Sequence, residues 1–177
     1  VIVREEKWPI QGEFTIARNS KTSAKVIVVE IHQDGERGRG ECVPYHRYGE
    51  TMARTVAEIE KVRSSLEKGT LTRQELQKQL APGAARNAVD CAMWDLEAKL
   101  SGTPVWCLAG LTKPQPVTTA FTISLGDAKV MASVARENKH RPLLKLKLGG
   151  TDDVMRVRAV REAAPDATLI VDANEAW

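Results

Sequence analysis

The chain is poor in cysteine, and the few it has are not spaced to work together. Cys42, Cys91 and Cys107 are odd in number, and no C-x-x-C pair occurs. That argues against a disulfide frame or a zinc site and for free thiols in a reducing compartment. No His or Asn stands at a telling spacing from them, which sets a cysteine nucleophile aside. Excess charge of one sign is also missing. With 26 basic against 23 acidic residues, a net +3 and no basic cluster, the footprint of a nucleic-acid binder is absent. No apolar run approaches the roughly 18 residues of a membrane span, and the first residues do not read as a signal peptide. A cytoplasmic chain with neither nucleic-acid nor membrane partners is expected. Internal repeats and low-complexity tracts are lacking as well.

What is there reads as an ordinary globular composition, 42% apolar and 28% charged, in a chain long enough for one domain or two small ones. The first ~45 residues read as β: residues 3–17 as one strand, "SAKVIVVEIHQDG" as a second that ends in the turn signal Asp34-Gly35, and "RGRGECVPY" as its hairpin partner. "ARNSKTS" between the first two strands reads as a polar loop. Helices follow. Met52, Val56, Ile59, Val62 and Leu66 recur at helical spacing, and Thr72 with Glu75 is placed as a capping box. Ala85, Ala88, Ala92, Leu96 and Leu100 form one stripe of a helix that stops at Gly102. The proline-punctuated "LTKPQP" is the best domain boundary, which predicts one domain over residues 1–112 and another over 117–177.

Beyond it the rhythm changes to strand-helix-strand-helix-strand: "VTTAFTIS", a helix begun at Asp127, "LLKLKLG", a helix begun at Asp152 or Asp153, and "ATLIVDAN". Short connections of this kind predict βαβ units and a parallel sheet. In "LLKLKLG" alternation puts Lys145 and Lys147 on one side and Leu144, Leu146 and Leu148 on the other. The leucine side must be buried, and the lysine side then faces either water or a polar interior. An open sheet covered on both faces would make two lysines costly, whereas a closed barrel resolves them, with the C-terminal strand ends lining a mouth. "LIVDAN" places Ile170, Asp172 and Asn174 on one face, so two lysines and an aspartate are expected to converge from adjacent strands. Carboxylate oxygens suit Mg²⁺, and a lysine beside a second cation is tuned toward useful base strength.

Three features together resemble the enolase superfamily, in its muconate-lactonizing subgroup. They are "KLK" followed one βα unit later by "VDAN", the helix "AARNAVDCAMWDLEAKLSGTPVWCLAG", and the N-terminal strands followed by helices. The finer resemblance, on "FTIARNS", "PYHRYGE" and "LIVDANEAW", is to dipeptide epimerases of the L-Ala-D/L-Glu type. This implies an α+β capping domain followed by the start of a (β/α) TIM-type barrel, truncated after its third strand. It implies Mg²⁺-dependent epimerization of a dipeptide by abstraction of the proton α to a carboxylate, through an enediolate. Lys147 would be the acid/base and Lys145 its neighbour on the same face. Asp172 would be a metal ligand, with Asn174 a polar group behind it. Arg18 would pair with a substrate side-chain carboxylate or remain a solvated loop arginine, and Tyr48 (with Tyr45) would shape the pocket. Thr122 would hydrogen-bond substrate or serve as a plain strand residue. The family's other metal carboxylates and its opposing lysine lie on later strands, so about half of an enzyme is expected here, inactive alone. A homo-oligomer is compatible with this reading. The runners-up are a cycloisomerase or o-succinylbenzoate synthase of the same superfamily, and a non-catalytic binding module.

Overall fold

Extended segments open the chain, and their alternation explains how they pair. The computed structural model describes all 177 residues. β1 (Ile2–Ile16), β2 (Asn19–Gln33) and β3 (Glu36–Cys42) form one sheet in the order β1-β2-β3. β2 and β3 are antiparallel, with Gln33 opposite Glu36 across Asp34-Gly35. Both turn residues have positive φ, 51° and 83°, as a two-residue hairpin twisted to match its strands requires. The loop expected over 17–23 is far shorter. Only Ala17 and Arg18 separate β1 from β2, and Asn19 to Ser23 run on as strand. Polarity misled there, because the outer part of the hairpin is exposed and can be polar while still extended. Thr15 Oγ1 and Ser20 Oγ meet across the hairpin at 2.9 Å.

Helices cover one face of this sheet. α1 (Met52–Glu67) starts at Thr51, whose hydroxyl accepts from the Arg54 N–H. α2 (Arg73–Gln79) carries the full Thr72/Glu75 capping box, an arrangement in which each cap contributes about 1 kcal/mol. α3 (Ala84–Ser101) ends at Gly102 in the left-handed conformation. It lies so close to β3 that a Cβ on Gly40 would stand 2.0 Å from the Ala88 carbonyl oxygen. Ile27, Val29, Ile59, Val62, Leu76, Ala88 and Ala92 form the dry core of this unit. Leu100 was expected on the buried stripe but is 40% exposed. By that turn the partner strand is running out, since Lys99 Nζ already donates to the Arg37 carbonyl, one residue into β3. A further short helix, α4 (Val105–Leu108), follows Pro104.

The second run alternates β4 (Phe121–Ile123), α5 (Ala128–Glu137), β5 (Leu143–Lys147), α6 (Asp153–Ala163) and β6 (Thr168–Asp172). The sheet order is β4-β5-β6, and both pairings are parallel. β4 is shorter than "VTTAFTIS" suggested. Its pairing begins at Phe121 opposite Leu144, and Pro142 just before β5 has no N–H to extend the ladder. Leu144, Leu146 and Leu148 are fully buried against Met131 and Ala135 of α5 and Val160 of α6. At about 2 kcal/mol for each leucine taken from water, that face fixes which way the strand's other side must point. The architecture is an antiparallel α+β cap followed by the parallel start of a barrel. The chain divides into two compact units, Val1–Trp8 with Ala24–Pro114, and Pro9–Ser23 with Gln115–Trp177. The tip of the β1–β2 hairpin thus groups with the parallel sheet. No helix is long and apolar enough to cross a membrane.

Candidate active site

The lysine face of β5 follows from the burial of its leucine face. Parallel register sets Lys147 beside Asp172 and Lys145 beside Thr122 on the other flank. Neighbours in register share a face, so Thr122, Lys145, Lys147 and Asp172 point the same way. Lys147 Nζ donates to Asp172 Oδ2 at 2.7 Å, and Lys145 Nζ stands 2.9 Å from the same oxygen. Lys147 is buried at 7% exposure, while Lys145 and Asp172 are partly open to water. The Phe14 ring, from the hairpin, lies 5.7 Å from Lys147 Nζ.

Asp172 is held mainly by these charges. The hydrogen bonds from Lys147 and Lys145, then the Asn174 N–H on Oδ1 at 2.9 Å, keep its carboxyl far below the ordinary aspartate range. The strand ends here, and Asn174 (φ 49°) and Glu175 (φ 68°) both take the left-handed conformation. For residues other than glycine that costs roughly 1–2 kcal/mol each. Asn174 was placed on the Asp172 face by strand alternation; the turn instead sets its direction. Its Oδ1 is buried with no hydrogen-bond partner. A buried acceptor left unpaired costs about 1–3 kcal/mol, a cost that a bound donor or cation would relieve.

Arg18 is open to water but paired. It donates from Nη1 to Glu175 Oε2 at 2.8 Å, an ion pair with both partners substantially exposed. The hairpin reaches this point because the Leu125 N–H donates to the Thr15 carbonyl at 3.1 Å and Ser124 Oγ to the Glu13 carbonyl at 3.2 Å. Tyr48 lies in the other compact unit, 76% exposed, with its ring 5.5 Å from that of Tyr45. The second unit thus brings together Arg18, Thr122, Lys145, Lys147, Asp172 and Asn174. Phe14 and Glu175 went unremarked in the sequence. Both stand inside quoted motifs, but nothing in their spacing predicts contacts with residues more than a hundred positions away.

The oxygen donors fit a hard cation such as Mg²⁺ in kind: one carboxylate, and one amide oxygen with no partner. In number they fall short, because no three His, Cys, Asp or Glu side chains cluster anywhere in the chain. Asp172 would be one ligand among several.

The family model for the N-terminal domain of mandelate racemase / muconate lactonizing enzyme matches residues 1–110. An L-Ala-D/L-Glu epimerase from Escherichia coli (strain K12) is 50% identical over 179 residues, spanning 100% of this chain and 56% of that protein. Among solved structures, an enolase family member from Agrobacterium tumefaciens with homology to dipeptide epimerases aligns with a TM-score of 0.91 at 50% identity, over 99% of this chain and 54% of that one. It has bound sodium and L-Ala-L-Glu, with an ordered loop. A dipeptide epimerase from Enterococcus faecalis V583, complexed with Mg and L-Leu-L-Tyr, aligns with a TM-score of 0.83 at 33% identity, over 99% of this chain and 53% of that one. The chain spans about half the length of the curated relatives it matches.

Proposed function

The chain belongs to the mandelate racemase / muconate lactonizing enzyme family, and from that premise we propose that its gene product epimerizes dipeptides of the L-Ala-D/L-Glu type. The observation that carries the reading is the convergence of Lys145 and Lys147 on a single oxygen of Asp172, across adjacent parallel strands at their C-terminal ends. That arrangement suits removal of a proton α to a carboxylate, a step that needs a base close to a site for negative charge. Residues 1–112 act as the cap and 117–177 as the start of the barrel.

Lys147 takes the proton from the α-carbon of the C-terminal residue, and the electron pair spreads into the carboxylate as an enediolate. Return of a proton to the opposite face, from an opposing lysine expected on a later barrel strand, inverts the centre. Lys145 remains against Asp172, so that carboxylate keeps a cationic neighbour while Lys147 is neutral. Mg²⁺, when bound, supplies Lewis acidity to the substrate carboxylate. Asp172 would be one of the residues that hold it, with Asn174 behind. Arg18 exchanges Glu175 for the acidic side chain of the substrate, for which its planar fork is suited. Thr122 hydrogen-bonds substrate beside Lys145. The three free thiols fit a reducing compartment, and cytoplasmic residence is part of the same proposal.

The test is polarimetry of L-Ala-D-Glu with the purified gene product that carries these residues, with and without Mg²⁺. Mg²⁺-dependent change in rotation supports the proposal. Absence of turnover at saturating dipeptide and Mg²⁺ rejects it.

A further inference from the structure

One carboxylate outside the lysine cluster has more donors than any other in the second unit. Asp153, at the start of α6 and 7% exposed, accepts from the Gly149 N–H at 3.0 Å and the Gly150 N–H at 2.6 Å. It also accepts from Arg156 Nη1 at 3.0 Å and from the Trp177 indole Nε1 at 3.0 Å. Burial alone would push this carboxyl upward, but those donors outweigh it and hold it below the ordinary range. Arg156 extends the network, its Nε donating to the Gly126 carbonyl at 2.9 Å and its Nη1 to the Thr151 carbonyl. The loops at the C-terminal ends of all three parallel strands are therefore tied to one Asp153–Arg156 pair.

The packing of those loops agrees. A Cβ on Gly149 would stand 2.8 Å from Leu125 Cδ2, so the loops after β4 and β5 already touch. Gly149 follows Lys147 by two residues, so fixing its N–H fixes the end of the lysine strand. On the far side, Trp177 closes the turn that starts at Asp172. That turn includes the two left-handed residues Asn174 and Glu175, neither of them glycine. Such a conformation persists only where its surroundings over-determine it. The Trp177–Asp153 bond at one end and the Asn174 N–H on Asp172 Oδ1 at the other supply that restraint.

We infer that Asp153, with Arg156, is a positioning residue for the reaction: by tying the loop that follows Lys147 to the turn that follows Asp172, it holds the ends of β5 and β6 in fixed register, without touching substrate. This rests on the epimerase reading above. Misplacement of a reacting group by about 1 Å can cost on the order of 10²-fold in rate, while substrate contacts elsewhere are unchanged. Asp153→Asn should therefore lower kcat for dipeptide epimerization by about 10²-fold with KM within about threefold. Trp177→Phe removes one donor from a largely exposed ring, and should lower kcat about tenfold at an unchanged melting temperature. Asp153→Glu, which keeps the charge, should recover part of the loss.

The experiment measures kcat and KM for wild type and the three variants. Alongside them it records the ¹H–¹⁵N spectrum of the indole groups, in which Trp177→Phe identifies the Trp177 signal. Slow hydrogen exchange at that indole in wild type, and fast exchange in Asp153→Asn with the kcat loss above, supports the inference. Unchanged kcat in both Asp153→Asn and Trp177→Phe overturns it. So does a fall in kcat that merely tracks a fall in melting temperature with Trp177→Phe fully active, since Asp153 would then be only a loop cap. A wild type without turnover would reject the epimerase reading instead, while the indole signal would still report on the tie itself.

Discussion

Replacing Asp172 by asparagine removes the anion that answers two ammonium groups at once, and the structure predicts an asymmetry between the partners. Lys147 is buried, and its Nζ has Asp172 Oδ2 at 2.7 Å. Stripping one partner from a buried pair typically costs about 3–5 kcal/mol, because the other charge is left behind. Water reaches this cluster, with the Asp172 side chain 28% and that of Lys145 34% exposed, so the lower part of that scale applies. Asp172→Asn should cost about 3 kcal/mol. Lys147→Met leaves Asp172 with Lys145 at 2.9 Å and inserts an apolar chain into a buried slot, so it should cost about 1 kcal/mol or less. Urea denaturation of the gene product, metal-free, reads both directly as midpoint shifts at constant slope. Equal costs, or a larger cost for Lys147→Met, would refute the claim that one carboxylate balances both lysines. The pH dependence has a definite sign. Asp172 has its carboxyl depressed in the folded state, so its contribution is complete above the ordinary aspartate value near 4. The stability gap between wild type and Asp172→Asn should close as pH falls from there toward the much lower folded-state value.

Other perturbations follow from separate parts of the structure. Arg18→Met should raise KM for L-Ala-L-Glu by about 10- to 100-fold, the worth of a charge-assisted hydrogen bond, and barely change it for L-Ala-L-Leu; equal effects on both would reduce Arg18 to its bond with Glu175. Gly40→Ala should destabilise the cap by about 3 kcal/mol or more, because its Cβ would stand 2.0 Å from backbone oxygen that cannot rotate away; a near-normal melting temperature would mean that α3 shifts freely on β3. Burial pushes the Cys42 thiol up to about 12, whereas Cys91 and Cys107 are exposed, so a thiol reagent at neutral pH should modify two of the three thiols in the folded protein and the third only on unfolding.

Much of this architecture was legible because local chemistry and burial agreed. Asp34-Gly35 fixed a hairpin, Thr72 and Glu75 a capped helix, and the leucines of "LLKLKLG" a strand with one dry face. The same alternation is enough to place Lys145, Lys147 and Asp172 together. What could not be read was set by neighbours distant in sequence. The length of β4 depends on a ladder partner preceded by Pro142. The exposure of Leu100 depends on where β3 begins. The placing of Arg18 against Glu175 depends on a hairpin that bonds to the loop after β4 through Thr15 and Glu13. Asp153 reads in the sequence as an ordinary acidic residue at a helix start; its four donors come from the Gly149-Gly150 loop, from Arg156 one turn along α6, and from the Trp177 indole, which only the fold brings there.

The central claim is that Lys147 moves the α-proton. It is tested most directly by following deuterium incorporation at the glutamate α-carbon of L-Ala-L-Glu in deuterated water with Mg²⁺, by NMR, for wild type and Lys147→Ala of the gene product that carries these residues. Exchange is expected in wild type and none above background in Lys147→Ala, with the variant still folded. Exchange at an undiminished rate in Lys147→Ala would contradict it.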